Sequence, residues 1–382
     1  MAWKDVDIMT LRQEFVALAL QEGANRRQLC TRFGISPKTG YKWIERYRLE
    51  GRPGLLDRSK RPDQSPARTL QAVEATVVAL RKEHPTWGGR KINRRLLDLR
   101  YEQVPHPSTV TDILHRHGLI EEQASERSKP WQRFEHEQAN DLWQMDFKGN
   151  FPTGKAICHP LTVLDDHSRY NLVLHACERP NGEHVKAALE DAFRLYGMPL
   201  RINADNGAPW GSSSKHEHGI TKLTIWLIQL GIRISHSRPG HPQTNGKEER
   251  FHRTLKADVI SRAYFDDLDQ AQNAFDRWRL IYNNERPHEA IGLATPVTRY
   301  QPSKRIYPES LPAIQYASDD IVSVVGWDGA VKFMGRKFRV SNALRQYRIA
   351  ARAVQDRDGV FELFFSHQRI GQIDLHQLET QV

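Results

Sequence analysis

The sequence predicts a multidomain chain with an all-α N-terminal region, a middle α/β unit built on a mixed sheet covered by helices, and a small C-terminal β-barrel. Three observations predict it. The apolar spacing is helical to about residue 120, alternates between strand and helix periods from Leu142, and is strand-like from about Ile321. At 382 residues the chain exceeds what one compact core holds. Hydrophobic residues make up 39%, with 9 Trp, 11 Tyr and 14 Phe, which supports folded cores and excludes wholesale disorder.

Residues 1–51 form the first helical unit. Thr10 to Gln21 carries Phe15, Leu18 and Ala19 at helical spacing, and Arg26 to Phe33 is a second, shorter helix. Gly34 suits the positive φ that ends a helix, Ser36 a cap, and Pro37 the first position of the next helix. That third helix runs to about Arg48 and exposes Lys38, Thr39, Lys42 and Arg46. Helix, tight glycine turn and basic helix is the layout of a helix-turn-helix, whose second helix enters the major groove of double-stranded DNA. Residues 52–68 read as a basic linker, in which Arg58, Lys60 and Arg61 can track phosphates.

Residues 69–122 repeat the theme. Leu70, Val73, Val77 and Leu80 mark one amphipathic helix, and Thr86 to Lys91 opens another with Ile92, Leu96, Leu97 and Leu99 inward. Lys91, Arg94 and Arg95 are expected outward, with Lys91 and Arg94 on DNA, and Pro107-Ser108-Thr109 opens a third helix. The middle unit is drawn over residues 139–302. Trp143, Met145 and Phe147 alternate with Gln144, Asp146 and Lys148, giving a strand with one apolar and one polar face. Ile157–Leu164 and Tyr170–Ala176 form a hairpin about the turn at Asp165 and Asp166. Then come a helix from Glu183 to Tyr196, a strand to Ala204, a helix to Leu230, a strand to Ser235 and two long helices, 246–262 and 268–282. In the last unit, 318–377, Asp328-Gly329 and Asp358-Gly359 are hairpin turns. Lys332, Arg336, Lys337, Arg339, Arg345 and Arg348 there either contact DNA or solvate a surface.

The formal charge is +10 and the pI about 9.5, a balance suited to a polyanion, because Lys and Arg displace the counterions condensed on phosphates. No apolar run is long enough to cross a bilayer and no signal peptide opens the chain, which points to the cytoplasm. Cys30, Cys158 and Cys177 lack metal-ligand spacing and read as buried thiols.

Two aspartates stand out by position. Asp146 lies on the polar face of the first strand, and Asp205 where the fourth strand ends, the end at which an open sheet presents functional groups. Along the helix after Gly246, Phe251, Leu255 and Val259 form one stripe. Glu249, Arg253 and Lys256 lie on the opposite side, which fits an ordinary surface ion-pair helix, the reading that spacing alone favours, or a metal ligand beside a DNA groove. Glu248 falls next to Leu255 on the sheet-facing edge. His236 and His241 bracket a Pro-Gly loop that reads as DNA-facing.

The motifs WQMDFKG (143–149), LDDHSRY (164–170), ADNG (204–207), SRPGHPQTNGKEERFHRTLK (237–256) and YNNERPHEAIGLATP (282–296) closely resemble, in this order, the core of bacterial insertion-sequence transposases related to retroviral integrases. The resemblance implies a ribonuclease-H-like fold and sets the family's catalytic, metal-binding carboxylates on Asp146, Asp205 and Glu249. It further implies two Mg²⁺ ions, replaceable by Mn²⁺, and a transposase that binds its element's terminal repeats, cleaves the ends and joins the 3′-hydroxyls to target DNA. Because two ends must be handled, a homodimer or larger assembly is expected on DNA. The sequence departs from the family in a longer stretch before Glu249, with the surplus at 211–218, and in having helix-turn-helix units where retroviral integrases carry a His-His-Cys-Cys zinc module. Arg286, Pro287 and His288 resemble a family motif read as packing or DNA contact.

The implied chemistry explains the residue types. Phosphodiester attack needs an activated nucleophile and a stabilised leaving oxygen, which two hard cations about 3.5–4 Å apart supply. Such cations take oxygen ligands, hence carboxylates rather than His or Cys. Two other readings compete. A plain ribonuclease-H-like nuclease or resolvase leaves the two helical DNA-binding units unexplained. A DNA-binding transcriptional regulator with an inactive core fits a chain lacking one of the carboxylates, and all three are present.

Overall fold

The computed structural model describes residues 8–58, 69–120, 135–211, 220–236 and 246–376. The chain divides into two compact units, 1–68 and 69–382. In the first, helices α1 (Ile8–Ala19), α2 (Arg26–Arg32) and α3 (Pro37–Glu50) enclose Phe15, Val16, Ala19, Cys30, Trp43 and Ile44. Ser36 caps α3 by accepting the Thr39 amide at 3.2 Å. Gly40 is required by close approach, since a Cβ there would meet Cys30 Sγ at 2.5 Å. The helical body runs further than the linker boundary at residue 52 implies. Arg52–Leu55 makes a 3₁₀ turn whose Leu55 is fully buried in the same core. The physical reason is apolar demand: a three-helix unit this small gains by recruiting one more leucine.

In the second unit, α4 (Gln71–Glu83), α5 (Gly89–Asp98) and α6 (Pro107–Arg116) close on Val77, Trp87, Ile92, Leu96, Val110 and Ile113. They are followed by a mixed sheet with strands β1 (Trp143–Phe147), β2 (Phe151–Pro152), β3 (Ile157–Asp165), β4 (Asn171–Cys177), β5 (Arg201–Ala204) and β6 (Arg233–His236). The order across it is β4-β3-β1-β5-β6, with β2 pairing the start of β3. β1 runs antiparallel to β3, setting Asp146 opposite Thr162, and parallel to β5; β6 is parallel to β5 at the edge. Helices α7 (Gly182–Tyr196) and α8 (Lys222–Gln229) cover one face with Trp143, Met145, Leu189, Phe193 and Trp226. Helices α9 (Gly246–Leu255) and α10 (Leu268–Asn284), joined through a π turn at Lys256–Ile260, cover the other with Leu164, Leu174, Phe251, Phe275 and Trp278. An antiparallel trio extended by two parallel strands, with helices on both faces, is the ribonuclease-H-like arrangement.

The polar face of β1 is therefore not a solvent face. Gln144 is buried and Asp146 partly covered, because α9 lies over them. Burial also explains α8, whose residues are apolar all round. Leu223, Trp226 and Leu227 pack on the sheet, while Ile225 and Ile228 enter a second core shared with the C-terminal strands. Those strands are β7 (Ile321–Val324), β8 (Ala330–Phe333), β9 (Arg336–Arg339), β10 (Arg348–Ala353), β11 (Val360–Phe365) and β12 (Gln368–Asp374). They make a four-stranded antiparallel sheet, β12-β11-β10-β7, and a separate β8-β9 hairpin. The expected closed barrel is corrected accordingly: among the described residues no ladder joins the two sheets, which meet through side chains such as Phe333 on Phe361.

The α4–α6 bundle is bound to the α/β body through Asp258 in the π turn. Its carboxylate accepts Thr86 Oγ1 at 2.6 Å and Trp278 Nε1 at 3.1 Å, and faces Arg286 Nη1 at 3.5 Å. Arg95 of α5 pairs with Glu285 beside it. This docking overturns the outward position expected of Lys91. Its ammonium is largely buried, and burial followed by the charge of Arg286 lowers its pKa to about 8. Removing Asp258 leaves the buried Arg286 guanidinium without a counter-charge, a change that costs about 3–5 kcal/mol. We expect Asp258→Ala to destabilise the chain by that amount in urea unfolding, and a loss below about 1 kcal/mol would show that the anchor lies elsewhere.

Candidate active site

Asp146, Asp205 and Glu249 come from three elements that meet at one end of the sheet. Asp146 occupies the α9-facing side of β1, where its Oδ1 accepts the Phe147 amide at 2.8 Å. Burial first, and then the charges of Asp205 and Glu249, push its carboxyl up to about 6, against the amide bond that lowers it. Asp205 is exposed just past β5, its Oδ1 accepting the Asn206 amide at 2.7 Å and its carbonyl lying 3.0 Å from His236 Nδ1. Glu249 is exposed in the first turn of α9, where the helix dipole favours an anion. The three are electrostatic neighbours of one another through Asp146. Among the described residues no three His, Cys, Asp or Glu side chains stand close enough together to hold an ion.

The support behind Asp146 is neutral. Thr162 Oγ1 lies 3.0 Å from the Asp146 carbonyl, 2.9 Å from Glu248 Oε2 and 2.8 Å from His252 Nε2. A hydroxyl has one proton and two lone pairs. It donates to the Asp146 carbonyl or to Glu248 Oε2, and accepts from His252 where the imidazole carries its proton on Nε2. Complete burial, then the charge of Asp146, raises the Glu248 carboxyl well above its ordinary value. His252 is pushed down to about 4 by burial and by Lys148, so it is uncharged at neutral pH with its proton on Nε2. Burial thus disfavours the ionised form of Glu248, at the sheet-facing position that the helical spacing gave it.

A buried ion pair fixes the start of α9. Lys247 Nζ pairs with Asp166, whose Oδ1 also accepts Gln144 Nε2 at 2.7 Å and whose Oδ2 accepts the His136 amide at 2.9 Å. Burial, then the charge of Arg169, lowers Lys247 to about 8. Asp165, fully buried, accepts the Asn140 and Ser168 amides and the Ser168 hydroxyl. The Asp165-Asp166 turn is therefore structural, and through Lys247 and Gln144 it ties the helix carrying Glu249 to the strand carrying Asp146.

The remaining expectations fall in several places. Lys38, Lys42, Arg253 and Lys256 are exposed, and Thr39 is half-buried at the α3 cap. Arg12, Lys42 and Arg46 all lie against the Trp43 ring, at 4.1, 4.3 and 5.2 Å. Arg58 pairs with Glu50, and Arg94 with Asp98. Lys60, Arg61, His241 and residues 212–218 of the surplus stretch lie outside the described residues. Arg286 and His288 are packing residues, and burial takes the His288 imidazole down to about 3. The three cysteines are free and buried. Sequence reasoning missed Lys148, Thr162, Lys247 and His252. Thr162 alone carries a signal, as the one polar residue in the apolar run 161–164.

A hydroxyl that satisfies three buried groups is costly to lose. Thr162→Val is expected to destabilise the chain by about 1–3 kcal/mol by leaving them unpaired. Glu248→Gln, whose amide can still donate to Thr162, should stay within about 1 kcal/mol of the wild type. Chemical denaturation of both variants checks this, and equal losses would contradict the neutral Glu248.

Residues 136–242 and 230–296 match the family described as Integrase core domain. Residues 11–62 match a Helix-turn-helix domain, 39–114 a Homeodomain-like domain, and 320–381 the IS481 family transposase, C-terminal domain. The uncharacterized 39.2 kDa protein of insertion element IS476 from Xanthomonas euvesicatoria is 26% identical over 60% of this chain and 65% of its own length. The transposase for insertion sequence element IS904 of Lactococcus lactis is 31% identical over 41% of this chain and 60% of its own. The chain thus spans under two thirds of the length of these relatives. The solved catalytic core domain of HTLV-2 integrase in complex with magnesium is 18% identical, covers 42% of this chain and 96% of its own, and superposes with a TM-score of 0.30. Integrase-core matches thus lie over the ribonuclease-H-like sheet and an insertion-sequence match over the C-terminal strands, and these parts of the chain are similar to bacterial insertion-sequence transposases of the DDE–integrase superfamily.

Proposed function

We propose that this chain is a transposase that binds the terminal repeats of its insertion sequence, cleaves the DNA ends and joins their 3′-hydroxyls to target DNA. One observation carries the reading. Asp146 has its acidity disturbed by both Asp205 and Glu249, and its one ion-pair neighbour among the described residues, His252 at 4.0 Å, is held neutral. A corner in which Asp146 feels the charges of two further carboxylates, with the nearby imidazole uncharged, favours cations from solution. The donor set is all oxygen, which fits Mg²⁺, with Mn²⁺ as a substitute.

Asp146, Asp205 and Glu249 would hold the two ions. When bound there, Mg²⁺ supplies activation of the attacking oxygen and neutralisation of the leaving one. The chain's own residues do the rest. Thr162 and the uncharged Glu248 and His252 hold the Asp146 backbone without adding a competing charge. The Lys247–Asp166 pair orients the first turn of α9, and so Glu249. Lys148 and Lys256, close enough for each other's charge to be felt, offer the DNA strand a cationic border with Arg253. Lys38, Thr39, Lys42 and Arg46 on α3 are proposed to meet the transposon end, with Arg58, Lys60 and Arg61 along its backbone and Arg94 as a further contact. Lys91 is excluded from that set by its burial at the docking surface. Two ends imply a homodimer or larger assembly on DNA. Among the described residues no helix is long and apolar enough to cross a membrane, and the bacterial cytoplasm is the proposed location.

Asp146→Ala, Asp205→Ala and Glu249→Gln are each expected to abolish cleavage and strand transfer, by a factor of about 10³ or more, while end binding stays near wild type because phosphate contacts dominate affinity. Strand transfer on pre-cleaved element ends with Mg²⁺, beside a binding assay on the same DNA, separates the two effects. Full activity in any one variant removes that residue from the site. A wild type that binds ends but never cuts them would favour a DNA-binding regulator.

A further inference from the structure

At the far end of β5 and β6 from the carboxylates lies a cleft of about 550 Å³. It is lined by Arg201, Arg233, Arg305, His367 and His136, with Asp141 the one acidic and Leu200 the one apolar side chain. Arg201 and Arg233 are direct register partners on adjacent parallel strands, so their side chains leave the sheet on the same face about 5 Å apart. Among the described residues neither has a carboxylate ion-pair partner. Arg305 completes the charge from below, anchored by the carbonyls of Pro199, Leu230 and Gly231. His367, in the β11–β12 turn, has its pKa lowered by burial and by the closeness of Arg233 and Arg305. Three guanidiniums line one cleft with a single acidic side chain, Asp141, so positive charge is in excess there. Such an arrangement is stable when an anion occupies it.

The anion is not the scissile phosphate. Arg201 stands four residues before Asp205 along a strand, on the order of 13 Å away. The walls come from the sheet edge, the strap after α10 and the C-terminal turn, whose Gln368 closes the edge of β6 by bonding both the amide and the carbonyl of Ile234. The cleft is thus built by the seating of the C-terminal strands on the α/β body, and it is a fixed feature of that unit.

We propose that the Arg201–Arg233–Arg305 cleft binds the phosphodiester backbone of a duplex DNA segment away from the cutting site. This rests on the proposed strand-transfer function, because only an enzyme that holds more than one stretch of DNA uses a second backbone site. Guanidinium groups suit it through their bidentate match to phosphate oxygens.

The test is DNA binding by the full chain on a linear duplex of random sequence, measured across 50–200 mM salt. For Arg201→Ala/Arg233→Ala the slope of log K against log salt should fall in magnitude by about 1.8, the value for two lost phosphate contacts. Arg201→Lys/Arg233→Lys should keep the slope, and thermal unfolding of the alanine pair should be unchanged or raised, since two repelling charges are removed. A wild-type slope unchanged within about 0.5 in the alanine pair overturns the proposal. An unchanged slope with altered self-association in sedimentation overturns it in favour of an acidic segment of a second copy. Strand transfer by the wild type is run alongside. Its absence, with a slope that still falls, would sink the strand-transfer reading and leave the cleft as a DNA site.

Discussion

A strand covered on both faces has no free place for a charge, and β1 is such a strand. Its apolar residues, Trp143 and Met145, are absorbed by the α7–α8 layer, but the alternate positions also lie under a helix, α9. Each polar side chain there is accommodated differently. Gln144 is matched to Asp166, and Asp166 to Lys247, so that one buried charge is cancelled by another at the root of α9. Asp146 stands nearer the rim, where water and cations reach it, and everything behind it is uncharged. Placing a fixed cation behind Asp146 would satisfy it in the resting protein and weaken its claim on a metal ion. A neutral backing of Thr162, Glu248 and His252 leaves that claim intact.

The three bodies of residues 69–376 are joined by shared cores and shared polar anchors. Asp258 collects donors from α4–α5 and α10, drawing the second helical bundle onto the back of the active-site helix pair. Helix α8 serves two cores at once, one with the sheet and one with the C-terminal strands. Edge strand β6 is closed by a side chain of the C-terminal turn. Edges left open in a sheet invite pairing with other chains, so the C-terminal strands protect the α/β body while completing it.

Much of this was legible in the sequence, for a physical reason. Periods of two and 3.6 are imposed by local geometry, so the strands around Asp146 and Asp205 and the helix before Gly197 sit close to where apolar spacing put them. The buried character of Cys30, Cys158 and Cys177 followed from their apolar neighbours. What was not legible depends on which element lies on top. The lowered pKa of Lys91 owes part to the charges of residues about 160 to 200 positions later, Arg286 and Arg250. The recruitment of Leu55 into the first bundle, the pairing of Lys247 with Asp166, and the failure of the C-terminal strands to close by hydrogen bonding are likewise decided by tertiary contacts that no local pattern records.

The two adjacent glutamates of α9 show how little separates structure from chemistry in this fold. One step of a helix turns a side chain by 100°, enough to move it from the sheet to the open end. Glu248 takes the inward step, becomes completely buried, and is driven to its neutral form by desolvation and by Asp146. Glu249 takes the outward step and stays exposed, near enough to Asp146 to raise its pKa. The same residue type is completely buried at one position and exposed at the next. That division depends on the register of α9, and the register depends on Lys247 meeting Asp166 at its start and on Phe251 and Leu255 filling the core further along. A slip of one residue would expose Phe251 and bury an anion against Asp146. The hydrophobic stripe of α9 and the exposure of Glu249 are therefore set by a single constraint, and neither can shift without the other.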